Sequence, residues 1–373
     1  MTMAYSMQFP PQVLFGAGAV EQLPGKLPAG AKILLVIGAS ARHNGLQKKL
    51  ETLLADFELT IICGVMPEPD LDEVDRIIDV GRQNKVNAVV AVGGGSVMDA
   101  AKAASCIIAN PGSIRDYFNG SRSIIDRNGI FLAALPTTSG TGAEITPNAV
   151  FIDPESSIKK SIRHQYIIPD LAIVDPVLTV SAPSSVTAAS GMDALTQAVE
   201  AHISRGATAF TDALSAQAVK LIMRSLENAC KNPDDIQARS DMAEGSMLTA
   251  LAFSQSGLGA VHGIGHPVGS CLHLAHGLTC AILLTPVLEW NKSVAGDKLA
   301  GLAALCGGTS ADDFIRSVSA LREKTGIPAD FKEAGLKEEH FDFIVKNCRS
   351  GSMKANPADM SDQDVIAMLK RLS

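Results

Sequence analysis

His262, His266 and His276 fall within fifteen residues of one another, in the stretch 260–277 (AVHGIGHPVGSCLHLAHG), and some seventy positions earlier a helix-like segment carries Asp193 with Gln197 four residues on. The spacing of His262 and His266 puts both on one helical face, and His276 follows a glycine-rich bend. Imidazoles from one helix pair and a carboxylate from another helix are a donor set for a divalent cation. The competing reading is a group of separate, satisfied core histidines in an apolar helix pair. Two glycine-rich segments upstream favour chemistry over packing.

The first is Gly93-Gly94-Gly95-Ser96, between the buried-strand pattern Val89 to Val92 and a helical pattern, Val97 to Ile107, that contains Asp99 and Lys102. Amides freed at a helix N-terminus bind phosphate, and glycine lets the phosphate approach closely. The segment is not GxGxxG, so a plain tight βα turn is the alternative. The second segment, Pro136 to Glu144 (PTTSGTGAE), also follows an apolar run. Its Thr137, Thr138, Ser139 and Thr141 either bond phosphate or ribose or cap the next segment. Two such loops on consecutive strand ends suit a dinucleotide, which lies across the carboxyl ends of an open α/β sheet. After the first strand the chain reads Gly38-Ala-Ser40-Ala-Arg42, without the acid that grips adenosine ribose hydroxyls in the common NAD pattern. Ser40 and Arg42 are placed to hold a 2′-phosphate, which favours NADP over NAD.

The elements that must carry these groups follow from periodicity. Apolar runs at Ile33–Ile37, Leu59–Ile62, Ala88–Val92, Ile130–Leu135 and Ala172–Val174 have the form of strands buried on both faces, and helical patterns such as Asn44–Phe57 and Leu71–Asn84 alternate with them. This predicts a doubly wound, mostly parallel α/β domain over residues 1–182. From the Ser-rich SAPSSVTAASG onward no strand pattern remains. An all-helical domain is expected over 183–373, broken at Asn232-Pro233-Asp234, Gly307-Gly308, Gly326-Ile-Pro328 and Asn356-Pro357.

Composition narrows the partners. The chain has 373 residues, enough for two cores, and a formal charge of −7 with no basic stripe, which excludes a phosphate backbone and leaves a small diffusible substrate. The N-terminal MTMAYSMQFPPQ lacks the charged and apolar regions of a leader, and no apolar run approaches the roughly 20 residues that span a bilayer, so a cytoplasmic protein without membrane partners is expected. The seven cysteines form neither CxxC pairs nor a disulfide framework. Cys271 and Cys280 flank the histidines, but among apolar neighbours and at spacings unlike any zinc motif, so ligation by either is not expected.

GGGSVMDAAK, LPTTSGTGAEIT, GMDALTQAVEAH and GLGAVHGIGHPVGSCLHLAHG, in that order, resemble the iron-containing, or group III, alcohol dehydrogenases, and the likeness runs from Phe15 to the Gly351–Leu372 tail. The resemblance implies a dinucleotide-binding α/β domain and a helical domain of the dehydroquinate synthase-like architecture, with cofactor and divalent metal, Fe(II) or Zn(II), between them. It implies metal ligation by Asp193, His262 and His276, and places His266 beside nicotinamide and substrate as the proton-handling residue. Lys160 matches a lysine that reaches the cofactor. The departure is Gln197, where the family has a histidine; an amide oxygen is a weaker donor than imidazole. Glu200 returns to the Asp193 face but roughly 10 Å along the axis, and His202 points the other way, so neither is expected to replace it.

The activity implied is reversible hydride transfer between a nicotinamide and a small alcohol or aldehyde by an oxidoreductase, whose alanine-rich helical surface permits a homodimer without requiring one. Two other functions share parts of the pattern: a metal- and NAD-dependent lyase of dehydroquinate synthase type, which needs basic residues for an anionic substrate that these apolar motifs lack, and a catalytically altered nucleotide-binding protein, suggested by Gln197. Phe151, Phe253, Leu258 and Cys271 are candidates to line a substrate pocket.

Overall fold

The computed structural model describes residues 7–123, 130–156 and 158–373; residues 1–6 of the N-terminal stretch read for a leader lie outside them. Two compact units divide the chain, the first of Met1–Thr138 and Gly142–Ser181, the second of Ala182–Ser373 with Ser139–Thr141.

The first unit carries strands β1 (Gln12–Phe15), β2 (Lys32–Gly38), β3 (Glu58–Val65), β4 (Ala88–Gly93), β5 (Phe131–Pro136), β6 (Asn148–Asp153), β7 (Ile158–Arg163) and β8 (Leu171–Val174). Its helices are α1 (Leu46–Leu53), α2 (Leu71–Gln83), α3 (Gly95–Ile108) and α4 (Ile114–Phe118). Six strands form one sheet in the order β1-β8-β5-β4-β2-β3, parallel at every pairing. Alternation along β2 shows why its apolar run is continuous: Leu34 and Val36 join the core with α2 and α3, whereas Ile33, Leu35 and Ile37 join a second core with Leu50 of α1. The β2–β3 connection thus runs over one face and the β3–β4 connection over the other. The chain reverses direction between β2 and β4, whose carboxyl ends form the topological switch point where such sheets bind ligands.

The five apolar runs correspond to β2, β3, β4, β5 and β8. The sequence pattern misses β1, a four-residue edge strand, and the antiparallel hairpin β6–β7, whose second strand reads IKKSIR. Phe151, expected near a substrate, is only 1 % exposed in the first unit's core, because it alternates inward with Ala149 along β6.

The second unit is helical: α5 (Ser184–Ile203), α6 (Ala209–Lys231), α7 (Ile236–Ser256), α8 (Ala260–Leu272), α9 (His276–Leu305), α10 (Ala311–Lys324), α11 (Phe341–Asn347), α12 (Gly351–Ala355) and α13 (Asp362–Leu372). The four expected breaks all fall between helices. Asp235 caps α7 by accepting from Ala238 N, and Ser310 caps α10 by accepting from Asp313 N. α5 is buried nearly all round; Leu195 and Ala198 are fully enclosed in the unit's core, where truncating Leu195 to alanine is expected to cost about 2–5 kcal/mol. No helix among the described residues is long and apolar enough to cross a membrane.

Candidate functional site: an acid–histidine–cysteine cluster and two glycine turns

Three helices of the second unit build the cluster. α5 presents Asp193, Gln197 and Glu200 at i, i+4 and i+7, one face of the helix. α8 brings His262 and His266 and ends at His273, whose left-handed backbone (φ 51°) turns the chain so that α9 begins at His276. Gly277 lets that first turn close on α5, since a Cβ there would stand 2.2 Å from the carbonyl oxygen of Ala189 and 3.2 Å from Asp193 Cβ.

Asp193 Oδ1 lies 3.5 Å from His262 Nε2 and 3.8 Å from His276 Nε2. The Cys280 sulfur, one helical turn beyond His276, is 3.5 Å from His276 Nε2 and 4.0 Å from His262 Nε2. Asp193, His262, His276 and Cys280 each present a ligand atom within 4.8 Å of the others. Cys280, where ligation is not expected from the sequence, is part of the buried helical core, and the tertiary fold brings its sulfur to both imidazoles. The His276–Cys280 spacing of four was the available signal. Cys271 packs against the same core.

Glu200 holds a different post from the one its axial distance suggested. Its Oε2 is 2.6 Å from His262 Nδ1 and its Oε1 accepts from Val261 N at 2.7 Å. The carboxylate accepts a hydrogen bond from Nδ1–H, which directs Nε2 of His262 toward Asp193 and Cys280. His202 points elsewhere, to Ser215 Oγ at 3.0 Å. Gln197 donates its amide to Asp193 Oδ2 at 3.0 Å, while Asp193 Oδ1 and Gln197 Oε1 are both buried without a hydrogen-bond partner. His266 is half-buried and stacks on His276, with centroids 4.9 Å apart and 19° between planes.

Charge coupling dominates here. Burial pushes the Asp193 carboxyl up, but His276 and His262 outweigh it and hold it below the usual carboxylate range. Burial likewise opposes the charging of both imidazoles, yet Cys280 with Glu200 lifts His262 well above its ordinary value and Cys280 with Asp193 lifts His276. Buried oxygens without partners beside two imidazoles and a sulfur fit a divalent cation.

In the first unit, Gly93 closes β4, Gly94 is the N-cap of α3 and Gly95 is its first residue, so the glycine segment is a one-residue turn onto a 14-residue helix. A Cβ on Gly93 would meet Val97 Cγ2 at 2.5 Å, whereas one on Gly94 has only Thr138 near it, at 3.5 Å. Thr137 N is tied to Gly93 O at 2.9 Å, joining the second loop to the first; Ser139 and Thr141 group with the helical unit. Ser40 and Arg42 are exposed on the turn Ala39–Arg42 that follows Gly38.

Three residues proposed from sequence for the cofactor are committed to other partners. Ser96 Oγ accepts from Glu68 N at 3.0 Å. The Asp99 carboxylate accepts from Val150 N and lies 3.7 Å from the Lys102 ammonium, fastening the β6–β7 hairpin to α3; burial pushes it up to about 6 against the pull of Lys102. Lys102 is fully buried and donates to the carbonyls of Ala143 and Asn148, with burial lowering its pKa. Lys160 lies over the Phe118 ring, 4.4 Å from its centroid. Its neighbour Lys159, on the other face of β7, pairs with Glu68 Oε1 at 2.5 Å, and Glu68 is the residue bonded to Ser96 at the glycine turn. Strand alternation turns the two adjacent lysines to opposite faces of the hairpin.

Solved proteins share this architecture end to end. A 1,3-propanediol oxidoreductase superposes with a TM-score of 0.94 at 31% identity over 100% of both chains, and sulfoacetaldehyde reductase from Bifidobacterium kashiwanohense, solved in complex with NAD+, with a TM-score of 0.94 at 29% identity over 100% of this chain and 99% of that one. The NAD-dependent methanol dehydrogenase of Bacillus methanolicus is 34% identical over 97% of this chain and 98% of its own. Residues 10–176 match the family model for iron-containing alcohol dehydrogenase, and residues 187–373 match that for the C-terminal part of the Fe-containing alcohol dehydrogenase family. The chain belongs to the iron-containing alcohol dehydrogenases, oxidoreductases that act on CH–OH groups.

Proposed function

We propose that this alcohol dehydrogenase transfers hydride reversibly between NADP(H) and a small alcohol or aldehyde, with Fe(II) or Zn(II) held by Asp193, His262 and His276 and with Gln197 beside them. The observation that carries this reading is the pair of buried, unpartnered oxygens, Asp193 Oδ1 and Gln197 Oε1, next to two imidazoles. When bound, the cation supplies Lewis acidity toward the substrate oxygen, and the nicotinamide carries the hydride.

The chain's own residues supply the rest. Glu200 fixes the His262 tautomer through the Nδ1 proton, so that Nε2 remains a donor of its lone pair. His266, stacked on His276, exchanges the proton at the substrate oxygen as the alcohol forms or is consumed. Gly93, Gly94 and Gly95 open the α3 N-terminus to the pyrophosphate, with Thr137, Thr138, Ser139 and Thr141 as hydroxyl partners and Lys159, rather than Lys160, as the cation near the turn. Asp99 and Ser96 act by holding the hairpin and the Glu68 loop that frame it.

One relative is named as an NAD-dependent enzyme and one solved neighbour holds NAD+, yet no acid stands between Gly38 and Gly45 here, and Ser40 and Arg42 are exposed on the turn after β2. An uncompensated 2′-phosphate therefore meets a cation and a hydroxyl instead of a carboxylate. The test is initial rates of NADPH and NADH oxidation with short aldehydes, on protein stripped of metal and reloaded anaerobically with iron or zinc. Metal-dependent turnover with NADPH ahead of NADH is expected. Turnover indifferent to metal overturns the site assignment, and NADH ahead of NADPH overturns the reading of Gly38 to Arg42.

A further inference from the structure

Position 197 lacks an imidazole, but the cluster does not lack a fourth donor. A tetrahedral ion with nitrogen and oxygen ligands at about 2.0–2.1 Å and sulfur at about 2.3 Å separates two N/O donors by about 3.4 Å and nitrogen from sulfur by about 3.6 Å. The corresponding separations here are 3.5 and 3.8 Å from Asp193 Oδ1 to the two histidines, and 3.5 and 4.0 Å from Cys280 Sγ to the same nitrogens. Each lies within about 0.4 Å of the tetrahedral value. Four of the six edges of a coordination tetrahedron are thus present within that margin, and the ligand atoms of the remaining two pairs, His262 with His276 and Asp193 with Cys280, also lie within 4.8 Å. Cys280 is fully buried, and its sulfur lies beside the ring nitrogens of His262 and His276 and the Asp193 carboxylate.

The Gln197 amide nitrogen is turned to Asp193 Oδ2, which orients the carboxylate so that Oδ1 faces the histidines. Gln197 is in this sense a positioning residue.

We propose that the Cys280 thiolate is the fourth protein ligand, standing in for the imidazole absent at position 197, and that the resulting Asp–His–His–Cys site selects zinc. The inference rests on the preceding reading that the cluster binds a divalent metal. On loading, the ion takes the place of the protons held at Cys280 Sγ and at the two Nε2 atoms, all of which leave to solvent, while His262 keeps its Nδ1 proton and donates it in a hydrogen bond to Glu200. A thiolate is a soft donor that favours zinc, and zinc also stands above iron(II) in the general order of divalent affinities.

The test uses the full chain loaded with one cobalt(II), whose sulfur-to-metal charge-transfer absorption in the near ultraviolet reports thiolate ligation directly. The parent and Gln197→Ala are expected to show the band, and Cys280→Ser and Cys280→Ala to lose it. Zinc affinity, measured by chelator competition, is expected to fall at least tenfold in Cys280→Ser and to recover when Gln197→His is added to that variant, an outcome that misfolding does not produce. Stoichiometric cobalt without the band in the parent, or a band that survives Cys280→Ser, overturns Cys280 as ligand and leaves the metal site standing. A parent that binds no cobalt at all overturns both.

Discussion

The two units build their candidate sites by opposite means. In the first, the Gly93–Ser96 turn offers backbone: a strand end, one capping residue and the free amides of a helix, all contiguous in the chain. In the second, the cluster is made of side chains from three helices, with Asp193 and His276 83 positions apart in sequence and one shared set of contacts in space. A backbone site is fixed by conformation, so it tolerates little change in shape and much change in residue identity elsewhere. A side-chain site can lose one donor and recruit another, provided some helix face already points inward, and Gln197 with Cys280 illustrates that freedom.

The largest expected effect comes from deleting the group that most of the cluster shares. His262→Ala leaves Glu200 and Asp193 buried without their common partner, and breaking a buried charged pair costs about 3–5 kcal/mol. Loss of bound metal and a fall in kcat of about a thousandfold are expected, together with a lower unfolding midpoint; a thousandfold corresponds to about 4 kcal/mol of barrier. Full turnover with stoichiometric metal in this variant breaks the idea that the cluster acts as one unit.

The buried acids sharpen the contrast. In the second unit partners win and Asp193 is held low. In the first, burial wins: Glu144 is pushed up to about 7, against its own backbone amide and Lys102, and Asp99 to about 6, against Lys102, the Val150 amide and Lys159. These carboxyls hold their protons more tightly folded than unfolded, so the stability they confer is complete below about pH 4 and is lost as pH rises through about 6 to 7. A rise of about 2.5 units for Glu144 corresponds to about 3 kcal/mol at most. Urea midpoints followed by circular dichroism are expected to fall between pH 5.5 and pH 8, and Glu144→Gln to flatten that fall. An identical slope in the variant removes Glu144 from the account.

The same contrast explains which features were legible in the sequence. Buried parallel strands announce themselves because both faces are apolar, so β2, β4 and β5 stand out as runs, and the glycine turn is visible because its function is local. Helix breaks at Asn232-Pro233 and Gly307-Gly308 are legible for the same reason. The grouping of Asp193, His262 and His276 was legible through residue type and motif order. What escaped depends on phase or on contact across elements: the inward turn of Phe151, the pairing of Lys159 with Glu68, the bond from Glu200 to His262 and the approach of Cys280 to two imidazoles. Helical spacing says that Cys280 shares a face with His276, but only the close packing of α9 on α5 at Gly277 decides what that face meets.

The finest test of a backbone-built site separates the glycine that shapes the turn from the glycine that leaves it open. A methyl group on Gly93 would stand 2.5 Å from Val97 Cγ2 and 2.6 Å from Val97 Cβ, and the latter cannot swing away because it is fixed to the helix backbone. The start of α3 must move, at a cost of about 1–3 kcal/mol. A methyl group on Gly94 meets nothing closer than Thr138 at 3.5 Å, an ordinary contact, so the fold should accept it. It would nevertheless occupy space beside the free amides of the helix, where a phosphate must come close. Gly93→Ala is therefore expected to lower the urea midpoint, whereas Gly94→Ala is expected to keep the midpoint and raise the KM for NADPH about tenfold. If Gly94→Ala leaves that KM unchanged, the turn is a packing device alone, and cofactor binding must rest on side chains after all, as it does for the metal.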